Sequence, residues 1–165
     1  MNNNKTDIKL AAIFLFLLTG LLISGCCKKE APLDVAGKAY QKGDFAKAVE
    51  IFKPVAEEGN PEAQANIAFM YYCGMHLKKD HEKAAKWYLA AARQNHVNAQ
   101  FSLGTLYENG EGVKRDFGEA YFWYSLAEKQ GDKDAQRLRR ELERRLSSKE
   151  VQRQKKRIAA WKPQD

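Results

Sequence analysis

Three cysteines, three histidines and a few clustered carboxylates are the residues of this chain whose types could do chemistry. Cys26 stands directly behind Ile23-Ser24-Gly25 at the end of an apolar run, with Cys27 beside it and Cys73 far downstream. A thiol placed after small residues at the end of a short apolar stretch points to N-terminal processing rather than to a permanent span. If Cys26 is modified, Cys27 and Cys73 remain, an even number that permits a disulfide in an oxidising compartment. Cys27 falls in a tether and Cys73 in a predicted helix, so Cys73 reads as a small buried apolar residue. His76, His81 and His96 include no pair at the i, i+4 spacing of a helical zinc motif, and no cysteine pair assists them. Ser102, Ser125, Ser147 and Ser148 lack the context of a nucleophile elbow, and Glu108 and Glu111 have only proximity in common. Gly104, Gly110 and Gly112 are spaced for helix packing and a turn, not for gripping phosphate. The reading is a chain without catalytic residues, metal or cofactor; a triad assembled across repeats stays open as the alternative.

Composition limits what must position these residues. The chain has 165 residues, 44% hydrophobic and 30% charged, with four prolines, which is ordinary globular composition. Residues 8–25 hold the one long apolar run, behind a weakly basic start in which Asp7 partly offsets Lys5 and Lys9. No second stretch is long enough to cross a bilayer, which excludes a multi-span membrane protein. Without its first 25 residues the chain is one modest domain, too short for a large catalytic fold.

The start resembles a bacterial lipoprotein signal peptide over residues 1–25, with Ile23-Ser24-Gly25-Cys26 as the lipobox. The resemblance implies a diacylglycerol on the Cys26 sulfur, cleavage before Cys26 and acylation of the new amino group. An uncleaved N-terminal anchor is the alternative, and both place the remaining chain outside the cytoplasm. Several acyl chains anchor firmly where one gives only reversible binding. Cys27-Lys28 lacks the aspartate that retains such proteins at the inner membrane. The implied address is therefore the periplasmic face of the outer membrane, with the inner membrane and the cell surface as alternatives.

Beyond a tether at 26–32 the chain repeats itself. Residues 65–100 and 101–136 align with a period of 36. They share Tyr71/Tyr107, Gly74/Gly110, Asp80/Asp116, Ala84/Ala120, Trp87/Trp123, Tyr88/Tyr124, Ala91/Ala127, Gln94/Gln130, Ala99/Ala135 and Gln100/Gln136. Asp44, Ala48, Ala63 and Gln64 hold the same phase in a shorter leading unit. Each unit reads as a helical hairpin. Asn109-Gly110-Glu111-Gly112 is turn chemistry. Asp116 with Glu119 has capping-box spacing, and Ala84, Trp87, Tyr88 and Ala91 share one helical face. No hairpin buries such a face alone; stacking builds the core.

These units resemble Sel1-like repeats, relatives of tetratricopeptide repeats. The resemblance rests on Leu103-Gly104-x-x-Tyr107-x-x-Gly110-x-Gly112-Val113, Asp116, Glu119-Ala120 and Trp123-Tyr124-x-x-Ala127. It covers residues 33–136, with Met75-His76-Leu77 departing from the glycine-bearing loop. It implies an all-α, right-handed α-solenoid of about three hairpins with a concave surface, used as an adaptor for a protein or peptide. Some cysteine-rich members have been linked to β-lactam hydrolysis, but those carry a cysteine pair in each repeat and this chain has Cys73 alone. A hydrolase acting on cell-wall or β-lactam chemistry and a structural subunit of an envelope complex stay open as alternatives.

Candidate binding residues are those on the first helix of each unit, Asn66, Phe69, Tyr72, Ser102, Thr105 and Glu108; the recurrent Tyr71 and Tyr107 read as core. Residues 137–165 form a helical cap. Ala135, Leu138, Leu142 and Leu146 lie on one face, Ser147 with Glu150 marks the start of a second helix, and Val151, Ile158 and Trp161 anchor it. Ten Lys/Arg against three Glu fall within residues 137–157, so the net charge of +7 is local to this end. Arg137, Arg139, Arg140, Arg144 and Arg145 form a candidate basic patch. Its readings are a solvated cap, contact with anionic lipid headgroups or another anionic envelope polymer, or an acidic protein partner; no motif supports nucleic acid.

Overall fold

The computed structural model of the protein describes residues 31–164; the apolar N-terminal run, Cys26 and Cys27 lie outside the described residues. Among the described residues every regular element is an α-helix: α1 (Pro32–Gln41), α2 (Phe45–Glu57), α3 (Pro61–Cys73), α4 (His81–Arg93), α5 (Val97–Asn109), α6 (Phe117–Lys129), α7 (Lys133–Glu143) and α8 (Ser148–Ala160). From α1 to α7 each helix packs on its successor, and α8 turns back onto α6. This nearest-neighbour order is an all-α solenoid of paired helices.

Local chemistry sets the helix ends. Asp44, Asn60, Asp80, Asp116, Asp132 and Ser147 each cap a helix by accepting a backbone N–H with the side chain. Neither expected capping box closes, because its glutamate is taken elsewhere. Glu119 pairs with Arg157 of α8, while the Asp116 N–H donates to the Tyr107 carbonyl at 2.9 Å. Glu150 accepts from Arg153 and Gln154 instead. Gly74 and Gly110 end α3 and α5 in the left-handed conformation.

The core is built from alanine at the close approaches and large side chains between them. Ala48, Ala84 and Ala120, at one repeat position, are completely buried, as are Ala63, Ala99 and Ala135 at another. Two apolar clusters meet at Tyr71 and Trp87, which pack against both. Helix α6 departs from the repeat: Tyr121 to Ala127 are all buried because α5, α7 and α8 surround it. Phe122, where α4 has Lys86, seats the cap. Trp161 meets Phe122 and Trp123 edge-on at 5.7 and 5.6 Å, and Val151 and Ile158 are buried beside them. Cys73 is a correction. It is free and exposed at the last position of α3, on the stripe of Asn66 and Phe69, with no further turn of helix to cover it.

Polar side chains knit the junctions. At the first, Gln64 donates to the Ala56 carbonyl at 3.2 Å, and Gln94 donates to the Gly59 carbonyl and to Gln64 Oε1, both at 2.9 Å. At the second, the wholly buried Gln100 donates to the Ala92 carbonyl at 3.2 Å, and Gln130 donates to Gln100 Oε1 at 2.8 Å. Asn95 stands where the first junction has Gly59. It takes a positive φ of 67° and accepts from both Gln100 and Gln130 with its side chain, each at 3.1 Å. Gln136, the third copy, turns to Glu128 at 3.1 Å.

The loop after α5 fixes how the hairpins stack. Gly112 has φ +67°, and a Cβ there would stand 2.0 Å from the His81 carbonyl oxygen. His76, at the same repeat position one unit earlier, holds φ 58° with a side chain. Gly112→Ala is therefore expected to lower unfolding free energy by about 3 kcal/mol, from strain plus a backbone clash. His76→Gly relieves a left-handed side-chain conformation and is expected to stabilise by up to about 1 kcal/mol. Urea titration of both variants checks the pair.

Candidate binding groove

Helices α3 and α5 supply one shared face, with α4 behind it. Phe69 and Tyr72 from α3, Phe101, Ser102, Thr105 and Leu106 from α5, and Tyr88 from α4 line a hollow of about 140 Å³. A second hollow of about 170 Å³ shares Phe69, Tyr88 and Ser102, and extends past Asn66 and Asn98 to Glu62 and His96. The structure thus brings together Asn66, Phe69, Tyr72, Ser102 and Thr105. Phe69 is 38% exposed, the one large apolar side chain so open among the described residues. Tyr40 meets its ring edge-on at 6.5 Å.

The rim is polar and its protons are placed. Tyr72 donates to Glu111 at 3.0 Å and stacks on His81, ring centroids 4.9 Å apart. Tyr124 donates to Glu108 at 2.9 Å, and its hydroxyl lies 3.1 Å from that of Thr105. Glu108 is therefore held at the rim by the phenol. Burial pushes the Tyr88 phenol up to about 12, against the opposing hydrogen bond of Ser102. Burial, then the bond to Glu111, raises Tyr72; burial, with Glu108 adding to it, raises Tyr124. All three phenols are neutral at physiological pH, and those of Tyr72 and Tyr124 donate to carboxylates. The close approach of α5 to α6 needs Gly104, where a Cβ would stand 2.7 Å from the Tyr124 ring.

The histidines serve structure separately. His96 caps α5: its Nδ1 accepts from the Ala99 N–H at 3.2 Å, so Nε2 carries the proton and donates to Glu62 at 2.9 Å. His81 opens α4 against Tyr72, and His76 is exposed in its loop. Ser125 donates to the Tyr121 carbonyl inside α6 at 2.6 Å. Among the described residues no three His, Cys, Asp or Glu side chains converge as a metal site. Tyr71 and Tyr107 are half-buried, and their carbonyls receive the N–H of Asp80 and Asp116.

The basic patch does not hold together as the sequence grouped it. Arg139 turns inward to Glu128 at 2.5 Å, to Glu143 and to the face of Tyr121, and is 15% exposed. Hydrogen bonds from Lys155 and Arg139 hold the Glu143 carboxyl below its ordinary range. Arg145 lies over Phe117 at 4.2 Å, and Arg137 pairs with Glu141 at 3.1 Å. Arg140 and Arg144 are exposed. What sequence reasoning missed is the groove floor: Tyr88 recurs as Tyr124 and reads as core, yet it closes the hollow from behind.

Comparison with known proteins agrees with this geometry. Residues 61–96 and 97–132, the hairpins α3–α4 and α5–α6 with their junctions, each match the Sel1 repeat. The chain is similar to the solved structure of c5321, a protective antigen present in uropathogenic Escherichia coli strains that displays an SLR fold. Identity is 30% and the TM-score 0.71, over 75% of this chain and 27% of that one. It is also similar to a Sel1 repeat protein from Oxalobacter formigenes, at 32% identity and TM-score 0.62, over 65% of this chain and 44% of that one. The chain therefore spans less than half the length of these solved relatives. No curated protein matches it. On these grounds the two central hairpins match the Sel1 repeat, and the chain is similar to Sel1 repeat proteins.

Proposed function

We propose that the protein is a membrane-anchored adaptor of the bacterial envelope whose α3–α5 face captures a peptide segment of a partner protein. The observation that carries this is the open aromatic groove around Phe69, the one large apolar side chain so exposed among the described residues. Neither α3 nor α5 contains a lysine or arginine, and Glu62, Glu108 and Glu111 rim the face. The chemistry suits a segment with an aromatic or aliphatic anchor beside Lys or Arg. Tyrosine and phenylalanine give contact area at little ordering cost. The anchor is read from the lipobox, Ile23 to Cys26, and the outer-membrane address from Lys28.

Phe69→Glu and Ser102→Arg are expected to abolish recovery of the partner cross-linked to the wild type in intact envelopes, at unchanged melting temperature. Equal recovery from both variants rules the groove out. Intact-mass analysis of the chain from its native membrane is expected to find Cys26 as the first residue, with its acyl chains. An unmodified Cys26 defeats the lipid anchor, and a chain that still begins at Met1 replaces it with the uncleaved one.

A further inference from the structure

The C-terminal end of the solenoid carries cations that the fold does not use. On α7, Ala135 and Leu142 are buried and Leu138 packs beside them, with Arg139 turned to the same side. The opposite side carries Lys133, Arg137, Arg140 and Arg144 at i, i+4, i+7 and i+11, all exposed. On α8, Val151, Gln154 and Ile158 are buried. The side away from them carries Lys149, Arg153 and Lys156 at i, i+4 and i+7, also exposed. Residues three and four apart on a helix are neighbours, so each set is a continuous stripe, about 16 Å long on α7.

Three carboxylates of this region are spent on other cations. Glu128 and Glu143 hold Arg139, Glu143 also takes Lys155 at 3.0 Å, and Glu119 takes Arg157. Among the described residues only Glu141 and Glu150 form ion pairs with the stripes, to Arg137 and Arg153, both more than 60% exposed, where such pairs contribute little, and Asp134, exposed on α7, forms none. Arg140, Arg144, Lys149 and Lys156 make no ion pair among the described residues. Neither stripe contains an aromatic side chain. Long, uncompensated cations on two rigid helices match a surface of many laterally mobile anions better than one oriented ligand.

We infer that the outward faces of α7 and α8 form an electrostatic docking surface for the anionic headgroups of a phospholipid bilayer. This surface is separate from the groove and does not depend on the groove's having a partner. It replaces the arginine patch of the sequence: Arg139 and Arg145 drop out, and Lys133, Lys149, Arg153 and Lys156 enter.

The test is lysine-acylation footprinting of the whole chain, reconstituted in phosphatidylcholine vesicles with and without phosphatidylglycerol, so that any N-terminal anchoring is common to both. Lys149 and Lys156 are expected to label at least about threefold more slowly with phosphatidylglycerol present. The difference is expected to vanish near 1 M salt, where the Debye length is about 3 Å. Arg140→Gln with Arg144→Gln, whose side chains touch no described partner, is expected to keep the melting temperature and lose most of that protection. Equal labelling in the two vesicles overturns the inference. Equal protection by dissolved polyphosphate without vesicles also overturns it, and assigns the stripes to a soluble polyanion.

Discussion

Gln64 and Gln100 each stand inside the junction between two hairpins, where the chain turns from one unit into the next. A helix leaves its last carbonyls without helical partners, and burying them unsatisfied is costly. Each glutamine donates a second hydrogen bond to a last-turn carbonyl, of Ala56 or Ala92, which already receives the Gly59 or Asn95 N–H, and accepts from the glutamine thirty residues on, Gln94 or Gln130. A buried primary amide satisfied in this way tolerates little rotation of one hairpin against the next. The face shared by α3 and α5, and so the spacing of Phe69 from Ser102 and Thr105, inherits that fixed relation.

Departures from the repeat give each region its role. Phe69 and Thr105 occupy one repeat position, and Tyr72 and Glu108 another, so the groove is chemically uneven along its length. Lys86 of α4 becomes Phe122 in α6, and the last repeat thereby gains an apolar seat for Trp161. Arg157 spans the same seat, over the Phe122 ring at 3.9 Å while its guanidinium meets Glu119. Helix α8 packs back on α6 rather than extending the stack.

The hairpins were legible in the sequence because their signals are local or periodic. Caps such as Asp80 and Asp116 act within three residues, and the recurring Trp-Tyr and Ala-Gln pairs set the register. The grouping of Asn66, Phe69, Tyr72, Ser102 and Thr105 followed from that register alone. What was not legible depends on which neighbour wins a side chain. Glu119 has capping-box spacing from Asp116 but is taken by Arg157, 38 residues away. Arg139 belongs to a basic run yet faces inward, because Glu128 and Glu143 converge on it. Cys73 has the size of a core residue, but the helix ends under it and leaves it in solvent.

The groove is the feature that turns this packing into recognition, and site-specific photo-crosslinking addresses it most directly. A photoreactive side chain would replace Ser102 on the α3–α5 face, and in a second variant Lys86, exposed on α4 outside the groove. Irradiated in the native envelope, the Ser102 variant is expected to yield a discrete adduct that the Lys86 variant does not. Adducts from Lys86 alone, or the same adducts from both positions, would contradict a partner seated in the groove.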